Sequence, residues 1–140
     1  MDVQVNYLAV LLAAASSMVV GSIWYAGPVF GNVWAKLAKI DLKDMKGKGA
    51  TMSLVWAFVL SLLTAYVLAH VTFLSNHFFG NSFLHDALST AFWVWLGFVM
   101  TRILTHNIFE QKPGKLNLLA VGNEFVTIMV MGLIIGLLGV

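Results

Sequence analysis

Four long apolar stretches constrain the fold of this chain more than any other feature. Each is about 20 residues or longer, the length that a helix rising 1.5 Å per residue needs to cross a bilayer. Of the 140 residues 60% are hydrophobic and only 10% are charged, too few charges to cover a folded surface in water. The sequence predicts an all-α membrane protein, one domain over residues 1–140, with transmembrane helices at 6–26, 50–71, 87–108 and 116–139.

The first stretch resembles the apolar core of a signal peptide. A signal peptide carries positive charge before that core, whereas only Asp2 precedes this one. We therefore expect a retained transmembrane helix.

The lysines predict the orientation. Basic residues accumulate on the cytoplasmic side of membrane proteins. All seven lysines fall between helices 1 and 2 or between helices 3 and 4: Lys36, Lys39, Lys43, Lys46, Lys48, Lys112 and Lys115. Both termini are thus expected outside, with the Lys-rich loops in the cytoplasm. Topology explains these lysines, so no nucleic-acid partner is expected.

A short amphipathic helix is predicted over residues 30–40. Apolar residues recur there at three- and four-residue steps, at Phe30, Val33, Trp34, Leu37 and Ile40. Such a face beside lysines is typical of a helix lying in the membrane interface. We interpret it as an interfacial anchor, with a docking site for a lipid or a partner as the alternative.

Two opposite charges lie inside apolar runs of helices 3 and 4. A turn is predicted at Pro113-Gly114, and Arg102 and Glu124 are equally far from Pro113 along the chain, one before it and one after it. In an antiparallel hairpin this spacing means similar depth, roughly 10 Å inside the boundary by helical rise. Because an unpaired charge in a bilayer is costly, we predict that Arg102 and Glu124 form an intramembrane pair.

Other polar residues accompany this pair, and two interpretations stay open. The companions are Thr101, Thr105, His106, Asn117, Asn123 and Thr127. A buried polar network would fix how the helices pack, whereas an intramembrane charge also marks sites for substrates, ions or protons.

Other chemistry finds little support. His77, His85 and Asp86 could offer nitrogen and oxygen ligands to a metal, but their spacing matches no compact pattern, and no metal or other cofactor is expected. Cysteine is absent, and no catalytic constellation is recognisable, so we expect a protein that is not an enzyme. Small residues at Ala13, Ser17 and Gly21, and at Gly132 and Gly136, allow close helix packing within one chain or between copies.

The run "GSIWYAGPVFGNVWAKL" at residues 21–37 carries a family resemblance. With "DLKDMKG", "WLGF" and "NIFEQKP" further along, the chain resembles the small bacterial membrane proteins of domain of unknown function 1761. The resemblance implies four helices and no assigned activity. Trp24, Tyr25, Pro28 and Trp34 of the motif suit an interfacial aromatic belt or, alternatively, ligand contacts.

The function hypothesis follows from these features. We expect a non-enzymatic inner-membrane protein that binds a lipid, a small hydrophobic ligand or a partner membrane protein. The alternative is a small transporter or channel, a homo-oligomer coupled to protons through Glu124.

Overall fold

The computed structural model describes residues 3–41 and 48–139, without the side chain of Lys48. Four helical segments are long and apolar enough to cross a membrane, which confirms the predicted all-α class and fits a multi-pass membrane protein. The helices are α1 (Tyr7–Trp24), α2 (Asn32–Ala38), α3 (Lys48–Phe79), α4 (Phe83–Val94), α5 (Thr101–Phe109) and α6 (Gly114–Leu138). A π-helical segment, Trp95–Met100, joins α4 and α5 into the third span.

The turn between α3 and α4 is shorter than the sequence predicts. α3 continues to Phe79 and ends at Gly80, whose φ of 68° suits glycine. The Ser82 side chain accepts a 3.3 Å hydrogen bond from the backbone N–H of His85 and so caps α4. The expected loop over residues 72–86 is therefore only a few residues long, and His77 lies on a helix.

The predicted helix over residues 30–40 begins and ends earlier in the structure and has two parts. A π-helical turn, Gly27–Gly31, leads directly into α2. α2 ends at Lys39, which has a left-handed backbone with φ 57° and ψ 40°. That this segment lies in the membrane interface stays a prediction, as does the orientation. Lys43 and Lys46, two of the lysines that predict the orientation, lie outside the described residues.

The four spans form a closed ring. α1 packs against α3 and α6, and α4 packs against α3 and α6, so each span contacts the two beside it. Spans that follow each other along the chain run antiparallel. The first and fourth spans, α1 and α6, therefore also run antiparallel. The half of the bundle with the termini and the α3–α4 turn is called the terminal half, and the half with α2 and the α5–α6 turn the hairpin half.

The core lies in the terminal half and consists mostly of small residues. Buried alanines of α1, α3 and α4 surround Leu68, Ile128, Met131 and Ile135. Gly132 and Gly136 are buried where α6 meets α4, and a methyl group added at either would collide with α4. The glycine pair thus mediates packing within one chain, as close-packing steps do in membranes.

The hairpin half is more open. Every residue from 51 to 56 on α3 is exposed, whereas α3 is buried at Ala65, Leu68, Ala69 and Thr72. On α1 the buried residues stop at Ser17, whose hydroxyl shares a 2.8 Å hydrogen bond with the Ser61 hydroxyl of α3. α3 is therefore closely packed in the terminal half and exposed where it begins in the hairpin half.

Candidate functional site

The π-helical segment Trp95–Met100 decides which side chains of the third span face the bundle. Ala87 and Ala91 on α4 are fully buried against the core. Three turns at 3.6 residues each beyond Ala91 fall at about residue 102, so an unbroken α-helix would direct Arg102 inward. A π turn takes more residues than an α turn because its hydrogen bond reaches one residue further. The inward face therefore moves to Ile103 and Asn107.

The predicted pair of Arg102 and Glu124 does not form. Arg102 is exposed, and the described residues contain no ion pair between it and Glu124 within 4.0 Å. The sequence argument inferred a similar depth from the residue counts and assumed that the two side chains also shared a face. The π-helical segment removes that shared face, so the hypothesis of an intramembrane ion pair is wrong.

The residues expected to accompany Arg102 lie on the outer face with it. Thr101, Thr105 and His106 are exposed. The Thr101 hydroxyl donates to the Gly97 carbonyl at 2.6 Å, and the Thr105 hydroxyl donates to the Thr101 carbonyl at 2.8 Å. The hydroxyls of both threonines are thus hydrogen-bonded within their own helix and do not contribute to a site around Glu124.

Two polar contacts instead join α6 to the third span. The Asn107 amide donates a 2.8 Å hydrogen bond to Asn117 Oδ1. The Trp95 indole donates a 3.1 Å hydrogen bond to the Val121 carbonyl. The sequence indicated Asn117 as polar, and Trp95 and Asn107 begin two of the motifs that carry the family resemblance. Their inward direction was not predictable, because it depends on the π-helical segment.

Glu124 lies on the inward face of α6. Val121 and Ile128, one turn before and one turn after it, are both buried. Glu124 itself is half-buried, and no side chain in the described ranges gives its carboxyl a hydrogen bond or an ion pair. An acidic group is thus directed into an apolar bundle without a partner, which is costly unless something neutralises it.

Two further polar atoms beside Glu124 also lack partners. The indole Nε1 of Trp24 and the Oδ1 of Asn123 are buried, and within the described part of the chain neither makes a hydrogen bond. Trp24 lies against α6, since a methyl group added at Gly122 would be 3.2 Å from its ring. One unmatched donor, one unmatched acceptor and one unmatched carboxyl therefore lie within a turn of α6. Thr127, on the same helix, is buried.

Tyr25 completes this group at the end of the first span. Burial, and to a lesser extent the charge of Glu124, raise the pKa of Tyr25 above its usual 10.0. The phenol therefore lies close enough to Glu124 to be affected by its charge. We call Trp24, Tyr25, Asn123 and Glu124 the inner polar cluster.

The turn after α1 places aromatic rings beside the inner polar cluster. The rings of Trp24 and Phe30 have centroids 4.6 Å apart, and those of Tyr25 and Trp34 are 5.2 Å apart. Gly31 makes this arrangement possible, because a methyl group there would overlap the Tyr25 carbonyl oxygen. Pro28 is exposed. The motif residues thus fold back onto each other around one tight turn.

An apolar cleft opens from the side of the bundle between α3 and α4. Its volume is about 310 Å³, and its lining includes Leu63, Val67 and Val94. Ile128 of α6 also lines it. The cleft therefore reaches α6 one helical turn from Glu124.

Asp86 has a structural environment in the turn between α3 and α4. It is 2% exposed, and its carboxylate accepts hydrogen bonds from the amides of Asn76, at 2.8 Å, and Asn81, at 3.0 Å. His85 Nδ1 lies 3.3 Å from the same carboxylate, whereas His77 stacks on Phe73. Three metal-ligating side chains do not come together anywhere in residues 3–41 and 48–139. Asp86 thus stabilises the turn between α3 and α4.

Comparison with known proteins identifies the family. The model of the family described as protein of unknown function, DUF1761, matches residues 8–136. The chain therefore belongs to this family, which the sequence motifs had suggested. No curated protein and no solved structure matches the chain.

Proposed function

We propose that this member of the DUF1761 family binds an amphiphile with a protonated amine, and that the ammonium group pairs with Glu124 inside the bundle. The observation that carries the proposal is the Glu124 carboxyl, directed inward and without a partner among the described residues. A ligand cation at this position would remove the cost of holding an unpaired acidic group in apolar surroundings.

The neighbouring groups suit the same class of ligand. A primary amine has several N–H donors, and Asn123 Oδ1 is a buried acceptor without a donor. Trp24 offers the complementary indole N–H to an acceptor atom of the ligand. The aromatic rings of Trp24 and Tyr25 add faces that attract ammonium groups within about 6 Å. The cluster thus combines charge, hydrogen bonding and cation–π attraction.

The lateral cleft supports the amphiphilic part of the proposal. Its lining is almost entirely aliphatic, and it opens between two spans rather than at the end of the bundle. An alkyl chain could enter from the bilayer while its polar end reaches α6. A fully polar ligand would have no use for such an opening.

Binding of alkyl amines to the purified protein in detergent tests the proposal. Decylamine and decanol share a chain and differ in charge, because an alkyl amine with a pKa near that of lysine is protonated at pH 7. A hydrogen bond to a charged group contributes about 1.5–3 kcal/mol. Calorimetric titration should therefore show decylamine binding roughly ten- to hundredfold more tightly than decanol.

Charge-neutral variants locate the site. Glu124→Gln keeps the size of the side chain and should abolish the preference for the amine. Arg102→Gln also removes one intramembrane charge, but on the outer face, and should leave the preference unchanged. Equal affinity of the wild type for both probes, or an amine preference that survives Glu124→Gln, would show the proposal to be wrong.

Proton-coupled transport by an oligomer is the second candidate, and the same unpartnered carboxyl supports it. A carboxyl that exchanges protons can couple solute movement to a proton gradient. If the protein is a transporter, proteoliposomes with an imposed pH gradient should show amine flux. Glu124→Gln should abolish this flux although the variant still folds. Amine binding without amine flux would support the binding proposal and contradict transport.

A further inference from the structure

A groove runs between α2 and the turn that joins α5 to α6. Its volume is about 630 Å³, and the apolar part of its lining, called its floor, includes Trp34 and Leu37 from α2 and Ile103 and Leu116 from the hairpin. Polar side chains, among them Lys39 and Lys112, line it as well. The groove is thus apolar along its floor and carries basic side chains.

The position of these polar residues relative to the spans indicates what surrounds them. Lys39 follows the first span, and Gln111 and Lys112 lie between the spans that end at Phe109 and begin at Gly114. This is the level at which a membrane helix meets lipid headgroups. Apolar residues on the span side of such a groove suit acyl chains, and lysines suit phosphates.

The charges of the groove are not balanced. Lys112 Nζ is 2.6 Å from Glu110 Oε2, and this hydrogen bond and ion pair lower the pKa of the Glu110 carboxyl. Glu110 also lines the groove. Lys39, in contrast, has no ion-pair partner within the described ranges. One positive charge therefore remains available at the groove.

The backbone at Lys39 adds a second observation. Lys39 and Gln111, with φ of 57° and 55°, are the non-glycine residues with positive φ in residues 3–41 and 48–139, and both line this groove. Glycine would adopt this conformation without steric cost. The chain holds a lysine at the end of α2 although another residue would fit the backbone better.

We infer that this groove binds an anionic phospholipid, with the headgroup phosphate at Lys39 and an acyl chain along the apolar floor. A free phosphate ion would use the charge but not the floor, whereas a lipid uses both. The inference does not rest on the proposed function, because the groove lies at the membrane boundary and the inner polar cluster lies within the bundle.

Lipid-dependent thermal stability of the purified protein tests the inference. Phosphatidylglycerol and phosphatidylcholine with the same acyl chains are added to delipidated protein in one detergent. The wild type should be stabilised by several degrees more with phosphatidylglycerol. The same concentration of inorganic phosphate should have no such effect. Equal shifts with the two lipids, or an equal shift with inorganic phosphate, would overturn the inference.

Substitution of Lys39 by glycine separates binding from folding. Lys39→Gly removes the charge and suits the left-handed backbone, so the lipid-free protein should be as stable as the wild type or more so. The difference between the two lipids should nevertheless disappear. Lys36→Gln is the matched control, because Lys36 is an exposed lysine of α2 that does not line the groove.

The remaining outcomes also decide the question. Loss of the lipid preference in Lys36→Gln to the same extent would show attraction by general surface charge and overturn the inference. Retention of the preference in Lys39→Gly would do the same. Glu124→Gln should keep the preference, so failure of this inference and failure of the amine proposal are distinguishable.

Discussion

The glycines of α6 allow a stringent test of how the terminal half is packed. A methyl group at Gly132 would be 2.7 Å from the Ala91 Cβ and 3.1 Å from the Ala87 carbonyl oxygen. One at Gly136 would be 2.9 Å from the Leu84 Cα. Carbon atoms in contact are about 3.5–4.0 Å apart. Because the obstacles include backbone atoms of α4, the two helices must separate by roughly 1 Å.

The expected cost follows from this separation. Overpacking of a close-packed core costs about 1–3 kcal/mol. Replacing glycine with alanine inside a helix also gains up to about 1 kcal/mol in helix propensity. Gly21→Ala isolates that gain, since nothing lies within 4 Å of its added Cβ. The gain is common to all three changes, so Gly132→Ala and Gly136→Ala should be less stable than Gly21→Ala by the overpacking cost, about 1–3 kcal/mol.

Differential scanning fluorimetry on the five tryptophans measures this difference, with all variants in one detergent. A single scan rate is used because membrane proteins often unfold irreversibly. We expect apparent Tm values several degrees lower for Gly132→Ala and Gly136→Ala than for Gly21→Ala. Indistinguishable Tm values would refute the packing of α6 on α4. A change in oligomeric state at unchanged stability would instead place these glycines between copies.

Three further predictions concern the polar residues. Ser17→Ala should destabilise the protein by roughly 0.5–1 kcal/mol, the usual contribution of an interhelical hydrogen bond in a membrane, measured by unfolding in mixed detergent; no loss would mean that the contact with Ser61 contributes nothing. The effects of Arg102→Met and Glu124→Gln on the free energy of unfolding should be additive within about 0.5 kcal/mol, as expected of residues without contact; a larger coupling energy in the double-mutant cycle would show that the ion pair forms. Glu124→Gln should also lower the pKa of Tyr25, because one of the two causes that raise it is removed, and alkaline absorbance titration with Tyr25→Phe as reference measures this change.

The sequence predicts the spans well because the cost of exposing polar backbone in a membrane acts on every helix in the same way. Apolar length alone was enough to find them. The end of α3 was less predictable, since Asn76 and His77 resemble loop residues. Asn76 stays helical because its amide bonds the Asp86 carboxylate across the turn. That contact joins two helices, and local propensity carries no information about it.

The candidate site was predictable in part. Glu124 was recognised as unusual in a membrane, Asn123 as a polar companion, and Trp24 and Tyr25 as belt residues or ligand contacts. That the Trp24 ring packs against α6 at Gly122 is seen in the structure alone. The pairing with Arg102 was wrong, because depth follows from residue counts whereas direction depends on the local helix type. Six residues of π-helix changed that direction. Nothing in "WLGFVM" distinguishes it from an α-helical membrane segment.

The separation of a close-packed half from an open half has a consequence for function. Small residues hold the terminal half together, and the inner polar cluster lies beyond this core toward the hairpin half. Ligand-dependent motion is expected in the parts of a protein with the fewest buried contacts, which here include the exposed start of α3. A ligand at Glu124 should therefore order the hairpin half while the terminal half keeps its packing. Hydrogen exchange should then show decylamine protecting residues 51–56 of α3 but not residues 9–14 of α1, which contribute to the core and do not line the cleft. Equal protection of the two segments would contradict this division.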